Sequence, residues 1–275
     1  MEKLTGKVAV VTGAATGIGS ATAAELAKRG CDVALITRKN RAGLENTAQK
    51  IREMGRKTSL HIADVGDREA MEGLPDIIEK EHGKIDILVN NAGVNLMGEL
   101  EDVSLEDLDW IMNINFWGVV HGSKLFLPAI KRQSWGHICN IASLQGLLAL
   151  TSHTGYSATK FAIRGFSEAL RGELSPLNIG VSVVYPGLIK TGVVNSARVR
   201  GDDAAALQKN LGTFVDKYAM DSESCARRVV NGIEKNRGRI LITGSTRFFD
   251  ILKRLFPTTT DTLVAKVTRG GIPET

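Results

Sequence analysis

Lys7-Val-Ala-Val-Val-Thr-Gly13-Ala-Ala-Thr-Gly17-Ile-Gly19 joins a short β-branched strand to a glycine-rich turn, and an Ala-rich helical stretch follows to Arg29. Glycines in a strand-to-helix turn let the backbone approach a pyrophosphate, and the helix N-terminus attracts its charge. The spacing is Thr-Gly-x-x-x-Gly-x-Gly rather than the commoner Gly-x-Gly-x-x-Gly. It nevertheless follows a strand and opens a helix, the context in which such a motif carries meaning. Outward from this turn, strands are expected near residues 7–12, 32–37, 57–62, 85–89, 136–142, 179–185 and 238–243, with helical patterns between them. Alternation of this kind means βαβ units and a parallel sheet. Right-handed crossovers then give an α/β, doubly wound three-layer sandwich with helices on both faces. No internal repeat or interdomain linker interrupts the pattern, so residues 1–275 are expected to form a single domain. Ser104 with Asp107 predicts a capping box for a long helical run ending before Trp135. Pro75 predicts a kink or a restart in the third helical pattern.

Tyr156-Ser-Ala-Thr-Lys160 puts a phenol and an ammonium group on one face of a helix. A cation held near a phenol favours phenolate and lowers the tyrosine pKa toward working pH, where it can exchange a proton with substrate. Tyr156 is thus a candidate general acid/base. The run His137-Ile-Cys-Asn-Ile-Ala142 reads as a buried strand that ends at Ser143. In open parallel sheets ligands bind outside the carboxyl ends of the strands, so Ser143 and Tyr156 can converge on one substrate carbonyl. Taken singly, each has a plainer reading: Ser143 as a strand-end cap, Asn115 as a helix residue bonded only to backbone, Tyr156 and Lys160 as a solvated helix face.

Composition sets the outer limits. A chain of 275 residues with 43% hydrophobic and 24% charged content can bury a large core. Its three cysteines, Cys31, Cys139 and Cys225, are widely spaced and odd in number. They suggest reduced core thiols in the cytoplasm rather than a disulfide frame or a metal site. Met-Glu-Lys-Leu-Thr leads straight into the first strand, so no signal peptide is expected, and no apolar run approaches about 18 residues. A net charge of +5 with scattered basic residues is a poor match for nucleic-acid binding.

From Lys7 to about Gly244 these motifs, in this order, resemble the short-chain dehydrogenases/reductases in their single-domain form. The resemblance is carried by Thr12 to Gly19, Asp64-Val65, Asn90-Asn-Ala-Gly93, Asn115 in Asn-Phe-Trp-Gly, Ser143, Tyr156, Lys160, and Pro186-Gly187 with Thr191. It implies a Rossmann fold with strand order 3-2-1-4-5-6-7, and NAD(P)-dependent hydride transfer by a catalytic set of Asn115, Ser143, Tyr156 and Lys160. In that set Tyr156 protonates the carbonyl oxygen, Ser143 hydrogen-bonds it, Lys160 also binds the nicotinamide ribose, and Asn115 orders a proton-returning water. Cofactor contacts are implied at Gly13, Thr16, Gly17, Ile18, Gly19, Thr37, Arg38, Asp64, Val65, Asn91, Ala92, Gly93, Tyr156, Lys160, Pro186, Gly187 and Thr191. The family also implies a homodimer or homotetramer in which helices of about 104–132 and 156–175 pair across a twofold axis.

The end of the second strand selects the cofactor. NAD-specific members usually carry an acid there, whereas this chain reads Ala34-Leu-Ile-Thr-Arg-Lys-Asn-Arg41. Arg38 can grip a 2′-phosphate in a charge-assisted contact and Thr37 can donate a hydroxyl, so NADP(H) is expected over NAD(H). Many NADP-preferring relatives also carry a basic residue before the second motif glycine; here that residue is Thr16.

Substrate recognition is expected from residues 144–153 and from a lid of about 188–215. Leu147, Leu148, Leu150, Leu188, Val193 and Val194 predict an apolar wall, suiting an apolar ketone or secondary alcohol. His153 is read either as a polar substrate contact or as a structural histidine, and Arg198 with Arg200 as a possible clamp for an acyl carrier, which would make the chain a 3-oxoacyl-type reductase. In the C-terminal extension, about 245–275, Phe248, Ile251, Leu252 and Leu255 fall at helical spacing beside Arg247, Lys253 and Arg254. The first reading is packing on the lid or on a neighbouring subunit, the second peripheral contact with a membrane. Two other classes compete: a catalytically quiet NADP(H)-binding regulator, which the intact Tyr156 and Lys160 disfavour, and a serine hydrolase, for which Ser143 lacks the Gly-x-Ser-x-Gly elbow.

Overall fold

Val8-Ala-Val-Val-Thr12 is buried at every position, and so are Ile87–Asn90 and Ile179–Tyr185. Continuous rather than alternating burial is what a parallel strand covered on both faces requires. The computed structural model describes residues 3–192 and 196–269. Its strands are β1 (Val8–Thr12), β2 (Asp32–Thr37), β3 (Thr58–Ile62), β4 (Ile87–Asn90), β5 (Leu96–Met97), β6 (Gly136–Ile141), β7 (Ile179–Tyr185), β8 (Arg198–Val199) and β9 (Arg239–Leu241). Seven form one sheet in the order β3-β2-β1-β4-β6-β7-β9, parallel throughout. Counted within that sheet alone the order is 3-2-1-4-5-6-7, as expected.

The helices are α1 (Gly17–Lys28), α2 (Arg41–Glu53), α3 (Arg68–Glu72), α4 (Leu74–His82), α5 (Leu105–Met112), α6 (Gly118–Lys131), α7 (Thr154–Leu174), α8 (Asp202–Tyr218), α9 (Ser222–Glu234), α10 (Gly244–Leu255) and α11 (Pro257–Arg269). Pleating sends Ala9 and Val11 of β1 into a core with Leu26, Leu44, Ile51 and Val229, from α1, α2 and α9. Val10 points the other way, into a core with Met71, Ile78, Phe126, Ile130 and Leu170, from α3, α4, α6 and α7. Helices on both faces follow directly from this alternation. All three cysteines are free and buried, and burial pushes the Cys31 and Cys225 thiols up to about 12.

Local expectations hold with two refinements. The third helical pattern does restart at Pro75, which sits in the first turn of α4 after α3 ends. The long run after Ser104 is broken by a π-helical turn, Asn113–Trp117, between α5 and α6. Ser104 accepts a hydrogen bond from the Asp107 amide (3.2 Å), but the Asp107 carboxylate does not return it. That carboxylate instead holds Arg198 and Arg200, at 3.1 and 2.6 Å, and is kept well below the usual carboxylate range by the Arg200 hydrogen bond first. Arg198 also lies 3.6 Å over the Trp110 ring. The two arginines are therefore paired with a carboxylate of α5 while staying 42% and 43% exposed. They pin β8 beside β5, a two-residue parallel pairing that sequence patterning does not announce.

Candidate active site

The ends of β1, β2, β3, β4, β6 and β7, with α1 and α7, build the site. At the end of β1, Thr12 Oγ1 accepts from the amides of Asn91 (2.9 Å) and Ala92 (3.0 Å), while Asn91 Nδ2 donates to the Thr12 carbonyl (2.9 Å). The glycine turn is thereby stitched to the segment after β4. Gly13 has φ +65°, and a Cβ there would lie 2.9 Å from the Ala92 Cα. No side chain caps the start of α1 at Thr16, and no acid occupies its first turn. Unfilled space over the turn, together with helix amides that meet no protein carboxylate, fits a pyrophosphate. Gly19 stands beneath the turn, not in the cleft: a Cβ on it would come 2.3 Å from the Gly13 carbonyl oxygen. Gly19→Ala should thus shift the Gly13 backbone, costing roughly 1–3 kcal/mol of stability and weakening cofactor binding; thermal unfolding and cofactor titration measure both.

At the outer end, Thr37 ends β2 and Arg38 follows it, and Asp64 and Val65 lie just after β3. Arg38 Nη1 is 3.6 Å from Asp64 Oδ2, with both side chains partly exposed, and Asp64 Oδ1 accepts from the Gly66 amide at 3.0 Å. The ion pair was not anticipated from sequence.

At the inner end, Ser143 leaves β6 and caps the following turn, accepting from the Gln145 amide at 3.2 Å, and its hydroxyl lies near enough to the Tyr156 phenol to oppose the rise of that group's pKa. Lys160, one turn of α7 further on, is buried, donates to the Ile141 carbonyl at 3.2 Å and lies 5.4 Å from the Tyr156 ring centroid. Desolvation brings its pKa down to about 8. Tyr156 departs from the expected lowering: burial raises its pKa, and the Ser143 hydroxyl is what opposes the rise. The ammonium is aimed at the Ile141 carbonyl rather than at the phenol oxygen, which explains the difference. Asn115, in the π-turn, is fully buried; its Oδ1 accepts from the Val94 amide (2.8 Å) and its Nδ2 donates to the Val94 carbonyl (3.0 Å) and Thr159 (3.2 Å). Its side chain thus clamps the β4–β5 segment to α7 and does not line the cleft.

A cleft of about 540 Å³ runs between the two ends. It brings together Gly13, Thr16, Gly17, Ile18, Thr37, Arg38, Asp64, Val65, Asn91, Ala92, Gly93, Ser143, Tyr156, Lys160, Pro186, Gly187 and Thr191, leaving Gly19 and Asn115 behind its wall. Sequence reading did not name Val94, Ile114, Ile189 or Val215 in the lining, though the last two fall within the expected lid of about 188–215. The first follows a recognised motif and could have been found there; Ile189 and Val215 carry no local signal. Of the expected apolar wall, Leu188 lines the cleft, whereas Leu147 is buried with Val119, Ile163, Val183 and Tyr185, and Leu148 is likewise buried. Val193 and Val194 lie outside the described residues. His153 is buried, donates from Nδ1 to the Thr151 carbonyl (3.0 Å) and has its pKa lowered chiefly by burial, a structural arrangement.

A cleft that runs past a glycine-rich turn at the start of α1 to a serine, a tyrosine and a lysine at its inner end has the make-up of a nicotinamide-dependent oxidoreductase site. Similarity to known proteins narrows the class. The short chain dehydrogenase family profile matches residues 7–201. A Mycobacterium tuberculosis protein called SadH, an oxidoreductase by name alone, is 36% identical over 270 residues, 96% of each chain. The fold is shared with a short chain dehydrogenase/reductase from Burkholderia phymatum in complex with NAD (TM-score 0.87, 29% identity, 94% of this chain and 96% of that one). It is shared too with a short chain dehydrogenase from Burkholderia cenocepacia in complex with NADP (TM-score 0.77, 29% identity, 90% and 100%). The chain belongs to the short-chain dehydrogenases/reductases.

Proposed function

We propose that the protein transfers a hydride between NADP(H) and a carbonyl or secondary alcohol of an apolar molecule. The observation that carries this reading is one cleft with Ser143, Tyr156 and Lys160 at its inner end and Arg38, with no acid directly after β2, at its outer end. The nicotinamide cofactor, when bound, supplies the hydride. Gly13 to Ile18 hold the pyrophosphate, Arg38 and Thr37 the 2′-phosphate, and Lys160 the ribose. Thr191 orients the carboxamide. Tyr156 gives its proton to the carbonyl oxygen, to which Ser143 also donates, and Lys160 restores that proton, while Asn115 acts only by holding the β4–β5 segment against α7. Leu188, Ile189, Val94 and Val215 give the cleft apolar walls suited to a hydrocarbon substituent. Buried thiols suit a reducing cytoplasm.

Incubating the protein with NADPH or NADH and a panel of ketones tests the reading: NADPH should be oxidised in step with an apolar ketone. Cofactor binding without turnover across the panel would support the regulator instead. Carbonyl reduction should also fall as pH rises through about 8, where Lys160 loses its proton; a rate flat across that range contradicts the relay.

The same family reading gives a homodimer or homotetramer built on α5–α6 and α7. Leu105, Trp117 and Phe161 are exposed at 74%, 47% and 39% on those helices, more apolar surface than a solvated face needs. Light scattering should give at least twice the chain mass at micromolar concentration, and a monomer would count against it.

A further inference from the structure

α10 leaves a row of large apolar side chains in solvent. Its inward side is mixed: Thr246 and Asp250 are buried, Thr246 bonding Thr243 (2.7 Å) and Asp250 accepting from Arg239 (2.6 Å), with Phe249 and Leu252 half-buried. Its outward side carries Phe248, Ile251 and Leu255, exposed at 60%, 58% and 66% and spaced to form one stripe. Phe256 extends that stripe past the helix end. Of the expected stripe Leu252 is half-buried, while Phe248, Ile251 and Leu255 are left exposed, which speaks against packing on the lid and leaves a neighbouring subunit or a membrane surface to cover them.

Charge says what covers the stripe. Arg247 and Arg254 flank it on one side of α10. Arg247 also borders a concavity of about 630 Å³ lined by Arg228, Lys235, Arg237 and Arg239, with no carboxylate among its lining residues. Arg239 is neutralised by Asp250 and Arg228 donates to the Ile242 carbonyl, leaving a basic field beside exposed aromatic and aliphatic side chains. The nearby acid, Asp261, is tied to Lys253. A twofold contact through this surface would bring two such arginine clusters into one interface while Asp250 and Asp261 are already paired. An apolar stripe edged by arginines instead matches an interface of acyl chains beneath anionic headgroups. No helix among the described residues is long and apolar enough to cross a membrane, so contact would be in the plane of the surface.

We infer that α10 docks the protein on an anionic lipid bilayer, inserting Phe248, Ile251 and Leu255 while Arg247, Arg254, Arg237 and Lys235 engage the headgroups. The test uses the full chain and vesicles of phosphatidylcholine with or without phosphatidylglycerol, read by flotation. Expected is binding to the anionic vesicles alone, reversed by high salt. Phe248→Ser with Ile251→Ser should lower partitioning roughly tenfold or more, and Arg237→Glu with Arg247→Glu by about fivefold per basic residue. NADPH binding measured in the same variants shows that they fold. Failure to bind anionic vesicles overturns the proposal, as does equal binding to neutral ones. Binding of inorganic phosphate without vesicle binding would make the cluster a soluble-anion site. Loss of an oligomer in the serine double variant, again without vesicle binding, would assign the stripe to a second copy. Either result overturns the inference.

Discussion

Tyr156→Phe should keep NADPH binding and lose turnover by roughly 10²- to 10⁴-fold, the usual contribution of a positioned proton donor. The substitution removes one oxygen. The ring that remains keeps its edge contact with His153, at 6.4 Å between centroids, and its place 5.4 Å from Lys160. Nothing in the glycine turn or around Arg38 touches that oxygen, so cofactor affinity has no reason to move. The raised pKa of Tyr156 fits the role in the reducing direction, because a phenol kept protonated at neutral pH is ready to donate. Ser143→Ala should cost less, since it removes a hydrogen bond to the carbonyl oxygen and leaves the proton source in place. Single-turnover measurements with the best ketone from the panel separate the steps: a Phe variant with wild-type rate would remove Tyr156 from the chemistry, and one that no longer binds NADPH would show a structural role.

The sheet was readable because parallel strands covered on both faces leave a local record. The runs at β1, β4 and β7 are apolar and β-branched almost without interruption, and burial is complete along each. The site was readable for a related reason. Glycines in a turn, a serine at a strand end and a tyrosine one helical turn before a lysine are short-range patterns, and the topology places strand ends together. What escaped was made by contacts distant in sequence. The β5–β8 pairing is two residues long on each side, too short for any periodicity. Asp107 looked like half of a capping box because its neighbours in sequence were visible and Arg198 and Arg200 were not. Leu147 has the composition of a pocket wall and the burial of a core residue, a distinction that depends on which way one turn leaves Ser143. The polarity of α10 was plain in sequence, but its direction depends on Arg239 and Thr243 drawing Asp250 and Thr246 inward.

Arg38→Asp should reverse the cofactor preference. NADPH loses a guanidinium facing its 2′-phosphate, and a charge-assisted contact of that kind is worth roughly 1.5–3 kcal/mol, so affinity drops about tenfold or more before repulsion is counted. NADH gains a carboxylate able to accept from its free ribose diol. The ion pair with Asp64 sharpens the expectation. Because Arg38 and Asp64 are 48% and 34% exposed and 3.6 Å apart, their attraction contributes little, and Arg38 can turn to a phosphate at small cost. After substitution Asp64 faces a second carboxylate, which adds negative charge where the phosphate would sit and penalises NADPH further. Arg38→Ala separates the two effects: it should weaken NADPH as contact loss alone dictates, with no gain for NADH. Dissociation constants for both cofactors across the three proteins decide the matter. A wild type that already prefers NADH, or a ratio unmoved by Arg38→Asp, would mean that the 2′-position is read by other side chains and that the missing acid after β2 does not select the cofactor.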